Sequence, residues 1–304
     1  MTLAHAPVKI RITALAGLLL AAPFPVRGAP ITFNTALPVH QGGWVLREQF
    51  VLNRNTDDPS SANRDVRVSG FVSVLGYGVT RDFALFGVLP YLDKRLDVNM
   101  AGQRVERSDE GFGDFILIGR YIAYTSDAPG RTLRIAPFLG VKAPTGRDDA
   151  RDGLGRLPPP VQPGSGSWDV LGGAVLTYQT LDFQIDSQLS YQANQNANGF
   201  ESGDVFRADA SFQYRLWPRK LGGGVPAFLY GVLEANLVHA GKNRGGGAAD
   251  PNSGGTTLFL SPGLQYVTKK WIVEAGVQVP VIQNLHGTAL KNDYILNAGF
   301  RINF

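Results

Sequence analysis

The stretch YILNAGFRINF, residues 294–304, carries the pattern that decides the fold. Tyr294, Leu296, Ala298, Phe300, Ile302 and Phe304 form one set, and Asn297, Gly299, Arg301 and Asn303 fall between them. A period of two is that of a strand with two unlike faces. A strand that keeps this pattern up to a terminal aromatic must be paired over its whole length, because unpaired chain ends fray.

The same alternation recurs upstream. LDFQIDSQLSY (181–191) sets Leu181, Phe183, Ile185, Leu189 and Tyr191 against Asp182, Gln184, Asp186, Gln188 and Ser190. FRADASFQYRL (206–216) and WIVEAGVQVPV (271–281) repeat it, and no helical period fits any of these runs. Such segments predict strands near 42–54, 65–78, 81–93, 110–125, 131–143, 167–178, 180–193, 203–216, 225–240, 255–267, 270–282 and 290–304. That even set, about 12 strands, is joined alternately by short turns and long loops. Even strand number, loops sorted by length and aromatic strand ends together predict an all-β chain, a transmembrane antiparallel up-and-down β-barrel of the bacterial outer membrane. Closure removes the sheet edge, so the last strand pairs with the first. Strand prolines at 90, 137, 262 and 280 are expected at bends or bulges.

The start of the chain supplies the compartment. Lys9 and Arg11 precede an apolar run from Ile12 to Ala22, and small residues follow at Gly28 and Ala29. This reads as a signal peptide, residues 1–28, cleaved after Gly28 or Ala29. Residues 29–41 then form an N-terminal extension, too short for a separate plug domain yet able to enter the lumen, and residues 42–304 the barrel. Losing Lys9, Arg11 and Arg27 takes the formal charge from +4 to +1, so nucleic acid is not an expected partner. There is no cysteine, which excludes disulfides as the source of rigidity.

Catalysis and metal binding find little support. His40, His239 and His286 lie in the loop contexts HQG, HAG and HGT, which lack the His-x-Ser arrangement that would put base and nucleophile on one strand face, so no catalytic residue and no enzyme activity are expected. Asp148, Asp149 and Asp152 could offer hard oxygens to calcium, but they are interleaved with Arg147, Arg151 and Arg156, which can neutralise them without a metal ion. Neither metal nor cofactor is expected.

The predicted inner faces are more informative. Arg47, Arg67, Asp114, Arg120, Lys142, Asp169, Asp186, Arg207, Asp209, Glu274 and Arg301 fall on polar parities, as do Arg134, Asp182, Arg215 and Glu234. In a dry core they would be costly; lining a wet lumen or paired across it they are acceptable. Phe71, Phe86, Ile116, Ile118, Phe138 and Phe259 are expected inside as well, which suits a conduit for apolar solutes as much as a filled interior. The loop PTGRDDARDGLGRLPPPVQPGSGS, 144–167, is expected either outside or folded into the mouth.

Three segments, GFGDFILIGRY (111–121), APFLGVKAPTGRDD (136–149) and GSGSWDV (164–170), resemble those of the outer-membrane MetA-pathway of phenol degradation family. The matching positions are Gly113-Asp114, Lys142, Pro144-Thr145-Gly146 and Gly166-Ser167-Asp169. The resemblance implies a transporter barrel. Independently, the terminal Phe304 resembles the C-terminal signal of bacterial outer-membrane barrels, which makes the barrel-assembly machinery an expected partner of the last strand. The resulting expectation is a monomeric barrel in outer-membrane lipid that passively admits small hydrophobic or aromatic organic solutes, with Asp114, Lys142 and Asp169 at its narrow part. The alternative from another class is a closed structural or cell-surface interaction barrel without transport.

Overall fold

The computed structural model describes residues 28–220 and 227–304. The expected signal peptide, apart from Gly28, and part of the expected turn at 217–224 lie outside the described residues. The long strands are β1 (Trp44–Asn55), β2 (Asp65–Gly78), β3 (Phe83–Met100), β4 (Phe115–Tyr121), β5 (Arg131–Ala143), β6 (Asp169–Thr180), β7 (Phe183–Ala193), β8 (Val205–Trp217), β9 (Phe228–Ala240), β10 (Gly255–Val267), β11 (Trp271–Leu285) and β12 (Tyr294–Asn303). Each pairs antiparallel with its sequence neighbours, and β12 pairs with β1 from Val45↔Asn303 to Arg54↔Tyr294. The chain is thus a closed 12-strand antiparallel barrel. Closure satisfies the ladder groups that hydrocarbon could not.

Long loops gather at one end and short turns at the other, where Trp44 and Phe304 also lie. Trp44–Tyr77 and Tyr266–Trp271 form aromatic contacts near the short-turn end, and Tyr91–Phe112 near the long-loop end, the arrangement of interfacial girdles. In β8 the outer set Phe206, Phe212 and Tyr214 is exposed, while Asp209, Ser211, Gln213 and Arg215 are buried inside. Apolar outside and polar inside is the inverse of a water-soluble sandwich.

Three departures from the expected strand map have local causes. β3 runs beyond the ring and forms a hairpin with Gln103–Phe112, so most of the expected loop 94–109 is strand. The expected strand 110–125 is broken on both sides of β4: Gly113 donates its N–H to Pro90 O, and Tyr124–Ala128 pairs separately with β5. The β10–β11 ladder shifts register between Leu258 and Phe259, opposite Pro280, where a missing N–H favours a bulge.

Residues 28–41 do not stay outside. They form a strap within the barrel, with Ala29, Ile31, Phe33, Ala36 and Leu37 buried. The strap meets the wall at Gly78, where a Cβ would lie 2.0 Å from His40 O, so that crossing requires glycine. The side chain of Ile31 fits a dent formed by Gly263 and Gly276, whose added Cβ atoms would lie 2.6 and 3.4 Å from its Cδ1.

Candidate functional site

The strap is held chiefly by one side of the lumen. Glu234 on β9 accepts the N–H groups of Ile31 (2.7 Å) and Thr32 (3.1 Å) and the Thr32 hydroxyl. Gln188 on β7 accepts from Asn34 N (3.4 Å) and Nδ2 (3.2 Å), and the Thr177 hydroxyl on β6 accepts from Ala36 N (2.8 Å). Gln265 on β10 donates to Ala29 O at 2.9 Å. Across the lumen, Arg120 on β4 donates to Thr35 O and Leu37 O and lies 4.8 Å from the Phe86 ring centroid. Arg47 donates to Ile31 O and pairs with Glu274 at 2.6 Å, with Arg301 at 3.9 Å from the same acid.

The strap adjoins two cavities. On the short-turn side, a space of about 300 Å³ lies between the strap and the inner faces of β1–β5, walled by Phe33, Leu37, Val74, Phe86, Ile118 and Phe138 and edged by Arg47, Arg120 and Arg301. On the long-loop side, a space of about 430 Å³ includes Thr32, Val51, Arg207, Phe259, Gln278 and Leu290 in its lining. Arg207 pairs there with Asp209 at 3.1 Å, and Asn236 links Asp209 to Thr32. Asp186 is fully buried behind the strap, accepting from the Thr177 hydroxyl and the amides of Gln184 and Gln213.

Asp114, Lys142 and Asp169, expected at the narrow part of the lumen, come together at the rim and line neither of these two cavities. Lys142 pairs with both acids and donates to Ser165 Oγ at 2.6 Å. Asp114 also accepts Gly146 N (3.0 Å) and Ser165 N (2.9 Å). Gly146 and Gly164 touch backbone to backbone, leaving no room for a Cβ. The result is a clasp that ties both ends of the 144–168 loop to the barrel rim. Between those ends the loop turns inward: Ala150, Leu157 and Val161 bury against Leu96, with Val66 and Val98 beside them.

Arg67 requires correction. It shares the outer parity of β2 with Phe71 and Leu75 and is exposed, whereas Val66 and Val74 face inward. Phe71, also expected inside, is 54% exposed on the outer face. Arg67 lies near the long-loop end, cross-strand from Arg54 and Arg95, where the outer face leaves the hydrocarbon and a charge is tolerated. Sequence reasoning gave no role to Thr177, Gln188 or Gln265, uncharged residues that hold the strap; the alternation places them on inner faces but does not reveal their partner.

The loop groups are self-contained. Arg107 pairs with Asp152 at 2.8 Å; that hydrogen bond holds the Asp152 carboxyl below its usual range. Asp148 accepts from Asn198. No group of acids and histidines poised for a metal occurs among the described residues.

The family model described as "Putative MetA-pathway of phenol degradation" matches residues 47–282. The chain belongs to this family. Among solved structures, an outer membrane channel from Pseudomonas putida F1 aligns with TM-score 0.64 at 14% identity, covering 88% of this chain and 98% of that one. The β-domain of a Bordetella autotransporter aligns with TM-score 0.45 at 15% identity, covering 87% and 100%. No match is found among curated proteins. At these identities the likeness concerns the fold.

Proposed function

We propose that the chain is a monomeric channel of the bacterial outer membrane for passive uptake of small hydrophobic or aromatic molecules, with the strap as its internal barrier. The observation that carries this reading is the apolar cavity of about 300 Å³ between the strap and β1–β5. Apolar cavities of about 150 Å³ accept benzene, so this one has room for a substituted ring. Its guanidinium edge offers a polar contact for a hydroxyl or carboxyl substituent. Family membership and the outer-membrane fold support the reading, and a channel is what the aligned Pseudomonas protein is described as. The density of hydrogen bonds on the strap favours the second reading, a closed structural barrel.

The test is solute flux through purified protein in liposomes, comparing a small aromatic with a sugar of similar size against protein-free liposomes. An Ile118→Trp variant, which fills the cavity, provides the control. A protein-dependent aromatic increment that falls in the variant supports the proposal. No increment for either solute supports the closed barrel, and equal flux for both identifies an unselective pore.

A further inference from the structure

Among the described residues, two lumen carboxylates lack an ion-pair partner. Glu274 has Arg47 and Arg301, and Asp209 has Arg207. Asp186 and Glu234, 0% and 1% exposed, are met by hydroxyl, amide and backbone donors and by no side-chain cation within ion-pair distance. Buried carboxylates without a counter-charge are costly, and that cost makes this part of the lumen a site for a cation.

The neighbouring amides show where it belongs. Gln184 and Gln213 donate their amide N–H groups to Asp186 at 2.7 and 3.2 Å, and Gln265 donates to Glu274 at 2.7 Å. With each nitrogen committed to an acid, each carbonyl oxygen points elsewhere. All three converge on residue 28: a Cβ there would lie 3.0 Å from Gln213 Oε1, 3.1 Å from Gln265 Oε1 and 3.7 Å from Gln184 Oε1. Gln184 Oε1 receives Gln179 Nε2, but Gln265 Oε1 is buried, in a residue 0% exposed, with no donor at all. A single backbone N–H cannot serve this set of acceptors. A group with several N–H donors and a positive charge can.

We infer that the cradle binds the α-ammonium of the processed chain, released on Ala29 by cleavage after Gly28. Hydrolysis of that peptide bond takes up one water, leaves a carboxylate on the departing Gly28 and an amine on Ala29. With an ordinary pKa near 8, that amine is protonated at neutral pH. Ala29 is buried and its carbonyl accepts from Gln265, so an amine released there lies inside the lumen beside the three glutamine oxygens. Processing and strap seating are therefore coupled: a chain still joined at Gly28 brings only an amide N–H to this cradle, whereas the cleaved chain brings a cation to glutamines that also bond Asp186.

The test reads neither transport nor conductance, so its failure is separable from failure of the channel reading. Protein purified from outer membranes is weighed intact, then treated at neutral pH with an amine-acetylating reagent, folded in detergent and after heat denaturation. The expected results are a mass beginning at Ala29 and α-amine acetylation at least tenfold slower in the folded state. An Asp186→Asn variant that keeps its heat-modifiable gel mobility should acetylate close to the denatured rate; Gln265→Leu serves if that variant fails to fold. A different N-terminal residue, equal rates in folded and denatured wild type, or a folded variant as protected as wild type overturns the inference.

Discussion

The two halves of the barrel wall differ in what they present to the lumen. From β6 to β11 the inner face is polar and buried, with Thr177, Gln188, Asp209, Gln213, Glu234, Asn236, Gln265 and Glu274. Beside the strap, β2 to β5 present Val74, Phe86, Val88, Ile118 and Phe138, with Arg120 among them; Arg134 and Lys142 share the parity of Phe138 but lie toward the two ends of β5. The strap is bonded to the first half and largely only packed against the second. Directional bonds fix one side, whereas dispersion contacts resist sliding far less. The seam between strap and apolar wall is therefore where a solute can pass at least cost, and it is where the apolar cavity lies.

The largest expected effect comes from removing what the polar half holds. Replacing residues 31–37 with glycine and serine deletes both the anchors and the apolar filling, and should raise single-channel conductance in planar bilayers at least tenfold. Glu234→Ala tests the same contrast at one residue, since it strands three strap donors. Unpaired buried donors cost roughly 1–3 kcal/mol each, enough to populate open states. Unchanged conductance in both variants would falsify the division of labour between the halves. Acting on the other half, Ile118→Trp should cut aromatic flux several-fold while altering ion conductance less; an equal loss of both would mean that ions and solutes share one path.

The same contrast explains what could be read from the sequence. β8 is legible because its faces differ chemically: Phe206, Phe212 and Tyr214 against Asp209, Gln213 and Arg215. β2 is not, because Val66, Val68, Val72 and Val74 line the inside while Phe71, Leu75 and Tyr77 meet lipid, so both parities are apolar and one arginine near the rim misleads. Glu48 departs from the pattern too: on the outer parity with Leu46 and Phe50, it accepts the Ser73 hydroxyl at 2.8 Å. The clasp residues are legible as a set only through the family resemblance, and their purpose depends on Ser165 and Gly146 reaching back to Asp114. The strap's bonds to Thr177, Gln188, Glu234 and Gln265 join residues more than a hundred positions apart, which no local periodicity encodes.

The clasp supplies the next prediction because it belongs to neither half of the lumen. Lys142 is largely buried between two acids, and removing one partner of such a group costs ~3–5 kcal/mol. Lys142→Ala should lower the temperature of the heat-modifiable gel shift and expose loop 144–168 to protease, with aromatic flux changing less than in Ile118→Trp. A larger flux loss than stability loss would move the clasp into the conduction path.

The smallest effect is expected at the β1–β2 loop, outside the membrane. Burial acts to raise the Asp58 pKa, but the side chain and N–H of Arg64, with Ser60, outweigh it and hold the carboxyl well below the usual carboxylate range. A depressed folded value means the contact stabilises fully above the unfolded pKa of about 3.9 and weakens only as pH falls toward the folded value. Arg64 also donates to Thr288 O, so the contact joins this loop to the β11–β12 loop. Amide exchange at Arg64, whose N–H donates to Asp58, should stay protected relative to its intrinsic rate from pH 7 down to about 4 in wild type. Asp58→Asn should lose that protection throughout the range and leave flux unchanged, because the loop contact shares no residue with the strap, the cavities or either half of the wall.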